Sequence, residues 1–333
     1  MNQRKSLNTI LITALFLSLL TACSDSDLDD ESDDGNWIER SDFEGLARAS
    51  AVSFTINDMA YVGTGYTGED YLKDFWEYDS ERNFWRQKAS MPAEASARSS
   101  AVAFSANGKG YVGTGFDGED ELSDFWAYNP GTNTWDSIAP FGGTARYAAV
   151  AFEIDDIGYV CTGFDGNDRK DLWAYNPATD EWTQKVSIGG SKRRDAVAFV
   201  IDGRAYVGTG RNNGVLEFDF WEYDPIEDRW AEKAELDEDD DYTIARYGGV
   251  AFSANGLGYI TTGTTGSQLN DTWEYNPVID EWIEKTRLDG SSRVDAVSFT
   301  LNDRPYIVTG RNGNLRLDDI WEFEPDEVND EDD

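Results

Sequence analysis

Arginine recurs at one position of a repeated segment, and this spacing could build a ring of positive charge. Each copy opens with Arg-x-x-[Ala/Gly]-Val-[Ala/Ser]-Phe, at Arg48, Arg98, Arg146, Arg193, Arg246 and Arg293. Six guanidinium groups around one mouth would attract an anionic ligand, because arginine binds a carboxylate through two parallel hydrogen bonds. An Asp-x-Trp motif follows each arginine, at Asp74, Asp124, Asp171, Asp219, Asp271 and Asp319. Alternatively, the arginine and the aspartate of each copy pair with one another and hold the sheet together.

Two further arginines occur in only two of the copies. They lie in Gly210-Arg211-Asn212-Asn213 and Gly310-Arg311-Asn312-Gly313, in loops predicted to reach the same mouth. Residues that repeat in every copy usually serve the repeat, whereas a ligand site usually departs from the symmetry. We therefore expect Arg211 and Arg311, more than the ring arginines, to bind ligand.

The loops near these arginines also carry aromatic and acidic side chains. Aromatic rings could stack on sugars or could cover the ends of the core, and they are Tyr66, Phe116, Tyr147, Phe164 and Tyr247. Acidic stretches at residues 117–120, 165–168 and 237–241 offer oxygen ligands for calcium, but none has the spacing of a dedicated calcium loop. We predict a solvated acidic rim, with no metal site and no cofactor.

The elements that position these residues are short strands in a unit of 47 to 53 residues. Tyr-[Val/Ile]-x-Thr-Gly recurs in every unit, at Tyr61, Tyr111, Tyr159, Tyr206, Tyr259 and Tyr306. In the complete units a second tryptophan follows the Asp-x-Trp tryptophan nine residues later, as in Trp126 and Trp135. Such a unit is predicted to form four strands, which is typical of a propeller blade. One four-stranded sheet cannot bury its faces alone, so the repeated sheets must stack on one another.

The last unit lacks its second tryptophan, and Trp37 fits the gap. Trp37 lies eleven residues before Arg48, the separation that also joins Trp135 to Arg146. We predict an all-β, six-bladed β-propeller over residues 37–325, with four antiparallel strands per blade and the ring closed by the strand around Trp37. Residues 326–333 are predicted to form an acidic, disordered tail.

Composition excludes several kinds of function. The 333 residues include 28 basic and 65 acidic side chains, so the net charge is -37. Phosphate binding needs a clustered positive surface, and we therefore predict no nucleic-acid partner. The chain contains no histidine, which excludes imidazole catalysis and histidine-liganded copper or zinc.

The beginning of the chain carries a targeting signal. Arg4 and Lys5 precede an apolar run that ends in Leu20-Thr21-Ala22-Cys23, so residues 1–22 are predicted to be a signal peptide. The last four residues resemble the lipobox of bacterial lipoproteins, which implies that Cys23 is lipidated. The acidic run that follows resembles the surface-export signal of Bacteroidota lipoproteins, and a like-charged block would also form a solvated tether. We predict a disordered tether over residues 23–36 and an outer-membrane lipoprotein that is exposed at the cell surface.

From Trp37 to Pro325 the chain resembles the kelch-repeat family of six-bladed propellers. The shared features are the opening arginine, the Tyr-Val strand, the glycine after it, the Asp-x-Trp-x-Tyr-[Asp/Asn]-Pro segment and the final tryptophan. The chain departs from the family by having Thr-Gly where kelch repeats usually have two adjacent glycines. Kelch domains that bind acidic peptides use arginines at comparable places, and the resemblance implies this role for the arginines named above.

Two main classes of function remain open. The first is a non-enzymatic, surface-tethered module that binds a glycan or a protein, including an anionic one, through the loops at one end of the propeller. The alternative is an enzyme that resembles the kelch-type sialic acid mutarotases and transfers protons with arginine and carboxylate groups. Such an enzyme would need an acid or base that breaks the six-fold pattern near the axis, and none is identified. A purely structural envelope protein is a third possibility.

One branch of kelch enzymes is excluded by residue types alone. The copper-radical oxidases that resemble galactose oxidase need a cross-linked cysteine and tyrosine together with histidine ligands. This chain has no histidine. Cys161 occupies a strand position that is glycine in three other units, so we expect a buried, unreactive thiol.

Overall fold

The computed structural model describes residues 34–236 and 244–330, which form a six-bladed β-propeller. The first strand, β1 (Asp34–Glu39), belongs to the last blade, and the blades follow one another around the axis in chain order. Each blade is an antiparallel sheet of four strands, here called a, b, c and d from the axis outward. The predicted all-β propeller is confirmed.

The strands of the first three blades follow the repeat in the sequence. Blade 1 contains β2 (Val52–Ile56), β3 (Met59–Gly63), β4 (Phe75–Asp79) and β5 (Phe84–Lys88). Blade 2 contains β6 (Val102–Ala106), β7 (Lys109–Gly113), β8 (Phe125–Asn129) and β9 (Thr134–Ile138). Blade 3 contains β10 (Val150–Ile154), β11 (Ile157–Cys161), β12 (Leu172–Asn176) and β13 (Glu181–Lys185).

Blades 4 and 6 add a small ribbon to the common plan. Blade 4 contains β14 (Val197–Ile201), β15 (Arg204–Gly208), the ribbon β16 (Arg211–Asn212) and β17 (Val215–Leu216), then β18 (Phe220–Asp224) and β19 (Arg229–Glu232). Blade 5 contains β20 (Val250–Ala254), β21 (Leu257–Thr261), β22 (Thr272–Asn276) and β23 (Glu281–Lys285). Blade 6 contains β24 (Val297–Leu301), β25 (Arg304–Val308), the ribbon β26 (Arg311–Asn312) and β27 (Leu315–Arg316), then β28 (Ile320–Val328) and β1.

Pairing of β1 with β28 closes the ring between the two ends of the chain. The strands run antiparallel, with Trp37 opposite Phe323 and Asp34 opposite Val328. Trp37 is fully buried and its indole nitrogen donates to the carbonyl oxygen of Thr286 in the neighbouring blade. The predicted closure is therefore confirmed, although β1 begins three residues earlier and β28 ends three residues later than the boundaries at 37 and 325. The pair Asp34–Val328 lies outside the repeat motif and is separated from the pair Asn36–Glu324 by a register shift.

Small residues let the six a strands approach the axis. Buried and half-buried side chains alternate along each of them, as the two-residue period of a strand requires, and the second residue of every a strand is a half-buried Ala or Ser. These half-buried residues line an axial channel of about 250 Å³, and examples are Ser53, Ala103, Ala151 and Ser298.

Neighbouring blades are joined by an aromatic contact that repeats around the ring. Phe104 stacks on Tyr111 of its own blade with 5.1 Å between ring centroids, and Tyr111 lies 5.6 Å from Tyr175 of the next blade. Gly158 makes room for this contact, because a Cβ atom there would lie 2.0 Å from the Phe104 ring. The glycine therefore serves packing between blades. None of the described residues belongs to a helix long and apolar enough to cross a membrane.

Candidate ligand site at the mouth of the propeller

The ring arginines are buried and paired with the Asp-x-Trp aspartates. Each of the six arginine side chains is at most 1% exposed. Arg98 donates from its two terminal nitrogens to the two carboxylate oxygens of Asp124, at 2.7 Å each, and Trp126 donates to the same carboxylate. The arrangement repeats in every blade, and only in blade 4 does Arg193 use one carboxylate oxygen and the backbone carbonyl of Asp219 instead. Each arginine thus connects the start of strand a to the start of strand c in its blade.

This pairing corrects the expectation that the arginine ring binds ligand. Arg48, Arg98, Arg146, Arg193, Arg246 and Arg293 direct their guanidinium groups into the blade rather than into the mouth. Burial raises the pKa of Asp74, Asp124, Asp171 and Asp271, but the hydrogen bonds and charges of the partner arginines outweigh it and hold the pKa of each below its usual range. These four carboxylates are therefore ionised at neutral pH, and all six arginine–aspartate pairs are fixed parts of the sheets.

Threonine in the Thr-Gly motif holds an unusual backbone conformation. Thr114 has a φ of 57°, in the left-handed region, and the other five threonines have φ between 58° and 67°. The carbonyl oxygen of Thr114 accepts a hydrogen bond from Arg98. The threonine side chains are fully buried, and their hydroxyl groups have no hydrogen-bond partner among the described residues. The threonine thus keeps the backbone geometry that suits the more usual glycine at this position.

A closed ring of backbone hydrogen bonds surrounds the axis at the mouth. It joins the residues two positions after each ring arginine, here called the collar, which are Ser50, Ser100, Ala148, Asp195, Gly248 and Asp295. Each collar amide donates to the collar carbonyl of the preceding blade, at 2.7 to 3.1 Å. All six residues have φ between 50° and 65°. The collar lines a cavity of about 110 Å³ at the entrance to the channel.

Two carboxylates break the symmetry of the collar. Asp195 accepts a hydrogen bond from Nε of Arg211 at 2.8 Å, and Asp295 accepts one from Nε of Arg311 at 3.0 Å. Here these two contacts are called the charged pairs. Both arginines begin the ribbons that occur only in blades 4 and 6 of the described structure. The expectation that Arg211 and Arg311 reach the mouth is met, and each arrives already paired with a carboxylate.

The two collar carboxylates lie on either side of Gly248. A Cβ atom at Gly248 would lie 2.9 Å from Oδ1 of Asp295, so glycine leaves space for this carboxylate. Burial raises the pKa of Asp195 and that of Asp295 above the usual range, and it outweighs the opposing effect of the paired arginines. Asp295 also raises the pKa of Asp195, which indicates that the two carboxylates interact.

Aromatic side chains occupy the other half of the mouth. The aromatic arc consists of Tyr66, Tyr71, Phe116, Tyr147 and Phe164, with 4.7 to 6.1 Å between successive ring centroids. All five are half-buried. Arg194 covers Phe164 at one end of the arc, with its guanidinium carbon 4.2 Å from the ring centroid. Arg316 lies over Tyr66 at the other end, at 5.6 Å.

Contacts of these mouth residues also cross the junctions between blades. Tyr71 meets Phe116, and Phe116 meets Tyr147, so the arc joins blades 1, 2 and 3. Arg211 lies 4.2 Å from the ring centroid of Tyr247, across the junction of blades 4 and 5. The predicted alternative that these rings cover the ends of the core therefore has support, because the same side chains both bridge blades and face the mouth.

Sequence reasoning missed the collar carboxylates and Arg316. The signal for the first was present, because the third residue of the Arg-x-x motif is Ser, Ser, Ala, Asp, Gly and Asp in the six copies. The two aspartates occur in the same copies as Arg211 and Arg311, which a comparison of positions within the motif would have revealed. Arg316 carries no such signal, because its place depends on the fold of the ribbon β26–β27.

The remaining predicted site residues lie elsewhere. Cys23, the signal peptide and the acidic run at 237–241 are outside the described residues. Cys161 is fully buried, and burial raises the pKa of its thiol to about 12. Within residues 34–236 and 244–330, no group of three potential metal-ligating side chains comes together. The Asp117 carboxylate instead accepts hydrogen bonds from the amides of Glu119 and Asp120, which closes its own loop.

Comparison with known proteins supports the fold. Residues 38–193 match the family model of the KLHDC2/KLHL20/DRC7 kelch-repeats domain. No curated protein matches the chain. A solved structure titled "Structure of YjhT" has a TM-score of 0.72 and 18% sequence identity, over 84% of this chain and 96% of that chain. At this identity the likeness concerns the fold alone. Residues 38–193 are thus similar to a kelch-repeat domain, and the described part of the chain is folded as a six-bladed β-propeller.

Proposed function

We propose that the protein is a binding module that holds a glycan at the mouth of the propeller. The observation that carries the proposal is the division of the mouth into the aromatic arc in blades 1 to 3 and the charged pairs in blades 4 and 6. Ligand sites commonly combine apolar or aromatic surface with a few convergent polar groups. The mouth has both, whereas the ring arginines, which repeat in every blade, are occupied within the sheets.

A glycan suits this division better than a protein segment does. Aromatic rings can pack against the C–H faces of a sugar, while its hydroxyl groups need donors and acceptors at fixed positions. Tyr66 and Phe116 supply half-buried rings, and Asp195 and Arg211 supply an acceptor and donors on the other side. The mouth cavity is small, at about 110 Å³, so a ligand would lie across the face and reach the collar with one end.

A second candidate function is that of a sugar mutarotase or epimerase that would resemble the kelch-type sialic acid mutarotases. It is favoured by Asp195 and Asp295, which are acids near the axis that depart from the six-fold pattern. Burial raises the pKa of both, and carboxyl groups with raised pKa values are suited to proton transfer near neutral pH. A binding module remains the first proposal, because paired arginines restrict both carboxylates.

We also propose that the propeller is tethered to the outer membrane through a lipid on Cys23 and faces outward. The lipobox-like Leu20-Thr21-Ala22-Cys23 and the acidic run after it support this proposal. Metabolic labelling with a palmitate analogue should mark the wild-type protein and leave the Cys23→Ser variant unlabelled. Labelling of both would contradict the anchor, and protection of the propeller from protease added to intact cells would contradict the outward orientation.

Binding is tested by alanine substitution at the mouth with a control in the same blade. Arg211→Ala and Arg311→Ala should each weaken binding of a glycan found by array screening about tenfold, with the melting temperature nearly unchanged. Arg204→Ala is the control, because Arg204 pairs with Glu222 and Asp224 away from the mouth. If both variants lost stability but kept their affinity, Arg211 and Arg311 would have a structural role, and the proposed ligand site would be wrong.

NMR separates the binder from the mutarotase. The protein is added to a freshly dissolved single anomer of the bound sugar, and the approach to anomeric equilibrium is followed. A binding module leaves the rate of interconversion unchanged, whereas a mutarotase accelerates it. Acceleration that disappears in Asp195→Asn and Asp295→Asn would replace the first proposal with the second.

A further inference from the structure

The charged pairs suggest what kind of chemical group meets the collar. Arg211 and Arg311 bind the carboxylates through Nε, and their terminal nitrogens have no hydrogen-bond partner among the described residues. Oδ1 of Asp195 and Oδ1 of Asp295 likewise have none in that part of the chain. Each pair therefore presents unused donors beside an unused acceptor, and the charges of each pair compensate one another.

We propose that Asp195 and Asp295 accept hydrogen bonds from hydroxyl groups of an uncharged sugar, and that Arg211 and Arg311 position these carboxylates instead of capturing an anion. This inference rests on the proposed glycan-binding function. A hydroxyl group is both a donor and an acceptor, so it matches an array in which carboxylate oxygens alternate with guanidinium N–H groups. A carboxylate accepts hydrogen bonds but cannot donate one, so a carboxylated sugar would leave the free oxygens of Asp195 and Asp295 unmatched.

The sequence positions of the four residues support a joint role. Asp at the collar, Arg after the Thr-Gly motif and the short ribbon occur together in blades 4 and 6. The other four blades have Ser, Ser, Ala or Gly at the collar and Tyr, Phe, Phe or Thr after the motif. A set of residues that changes together in two blades, without changing the blade itself, is better explained by a site than by the needs of the sheet.

The surroundings of the carboxylates make the inference measurable as a pH dependence. Arg211, Asp295 and Arg194 face Asp195, while Arg311, Arg211 and Arg316 face Asp295. Burial raises the pKa of both carboxyl groups, so protonation begins at a higher pH than for an exposed aspartate. A carboxyl group that is protonated loses much of its strength as an acceptor. Binding of an uncharged sugar should therefore weaken as the pH falls.

The experiment measures affinity from pH 4 to pH 8 by calorimetry, with three matched probes. They are a neutral hexose oligosaccharide and its hexuronic-acid and amino-sugar counterparts. The neutral sugar should bind most tightly, and Asp195→Asn should weaken it at least about tenfold at pH 7. Arg211→Gln should weaken it about tenfold at pH 8 through the loss of donors, and it should also raise the pH midpoint of binding by on the order of one unit, because the cation that favours ionised Asp195 is gone.

Several results would overturn the inference. If Arg211→Gln weakened binding equally at every pH without moving the midpoint, Arg211 would contact the ligand without positioning Asp195. Preference for the hexuronic acid would indicate anion capture, for which Arg316 has no carboxylate partner in the described structure and would be the candidate. Preference for the amino sugar would indicate an uncompensated negative site.

A ligand-free measurement separates failure of this inference from failure of the proposed function. Carboxyl-carbon NMR of wild type and Arg211→Gln reports the pKa of Asp195 directly. If wild type binds none of the sugars, the glycan proposal and the hydroxyl contact both fail, but an upward shift of the Asp195 pKa in Arg211→Gln would still support the positioning role. An unchanged pKa would reject that role whatever the ligand is.

Discussion

At the scale of single residues, similar arginine–aspartate contacts serve two different purposes. The arginines of the six repeated pairs are fully buried and hold strands together, whereas Arg211 and Arg311 of the two charged pairs are 31% and 36% exposed and occur in two blades. Burial separates these roles more clearly than residue type does. Stability and ligand binding should therefore respond to different substitutions.

The first prediction concerns a ring arginine. Arg146→Met leaves Asp171 without its charge partner and should lower the free energy of unfolding by about 3 kcal/mol, because an uncompensated carboxylate remains beneath the loops. Arg82→Met is the control, since its side chain is 72% exposed and its pair with Asp79 should contribute less than about 1 kcal/mol. Urea titration measures both. If Arg146→Met lowered the free energy of unfolding as little as Arg82→Met does, the ring pairs would not be needed for stability.

The second prediction concerns a collar carboxylate. Because the pKa of Asp195 is raised in the folded protein, folding binds its proton more tightly, and the free energy of unfolding falls as the pH rises through the folded pKa. Asp195→Asn has no carboxyl group to ionise, so this decrease in the free energy of unfolding is absent. The variant should therefore be more stable than wild type by about 1 kcal/mol at pH 7, as substitutions at functional sites often are. The gain should shrink towards pH 4. A variant that is less stable at pH 7 would contradict the raised pKa.

At the scale of elements, the repeat in the sequence predicts almost all of the fold. The tryptophan spacing predicted the four strands of each blade and the place of Trp37, because those residues pack in the same way in each sheet. The ends of β1 and β28 were not predicted, since their pairing beyond Trp37 and Pro325 has no counterpart in the other blades. The collar carboxylates were missed for a related reason. Asp195 and Asp295 come close only because the fold places blades 4 and 6 on either side of Gly248, and no single motif predicts that proximity.

The third prediction tests closure by β1. Trp37→Ala removes a fully buried indole that lies 4.6 Å from the Phe323 ring, and it should cost about 3 to 5 kcal/mol of stability. Trp230→Ala is the matched control, because Trp230 occupies the same strand position in blade 4 but is only half-buried. Thermal unfolding compares the two. A cost for Trp37 no larger than that for Trp230 would mean that the N-terminal strand contributes little to closing the ring.

At the scale of the whole molecule, charge opposes the compact state. A net charge of -37 produces self-repulsion, which dissolved salt screens over a distance of about 10 Å at 0.1 M. The collar charged pairs are each internally compensated, so they add little to this field. This compensation agrees with the uncharged ligand that we propose for the mouth.

The fourth prediction follows from this repulsion. Raising sodium chloride from 10 mM to 500 mM should increase the melting temperature by roughly 2 to 4 °C, which corresponds to about 1 kcal/mol. Calorimetry at neutral pH makes the measurement, and sucrose of equal osmolality controls for solvent effects that are not ionic. A melting temperature that stays constant or falls with salt would show that the acidic residues are already balanced by local pairing.

The most direct test of the account is the binding of a glycan panel by wild type and the double variant Asp195→Asn/Asp295→Asn. We predict that wild type binds a neutral glycan and that the double variant, still folded and at least as stable at pH 7, loses that binding. Retention of full affinity by the double variant would contradict a ligand site at the collar.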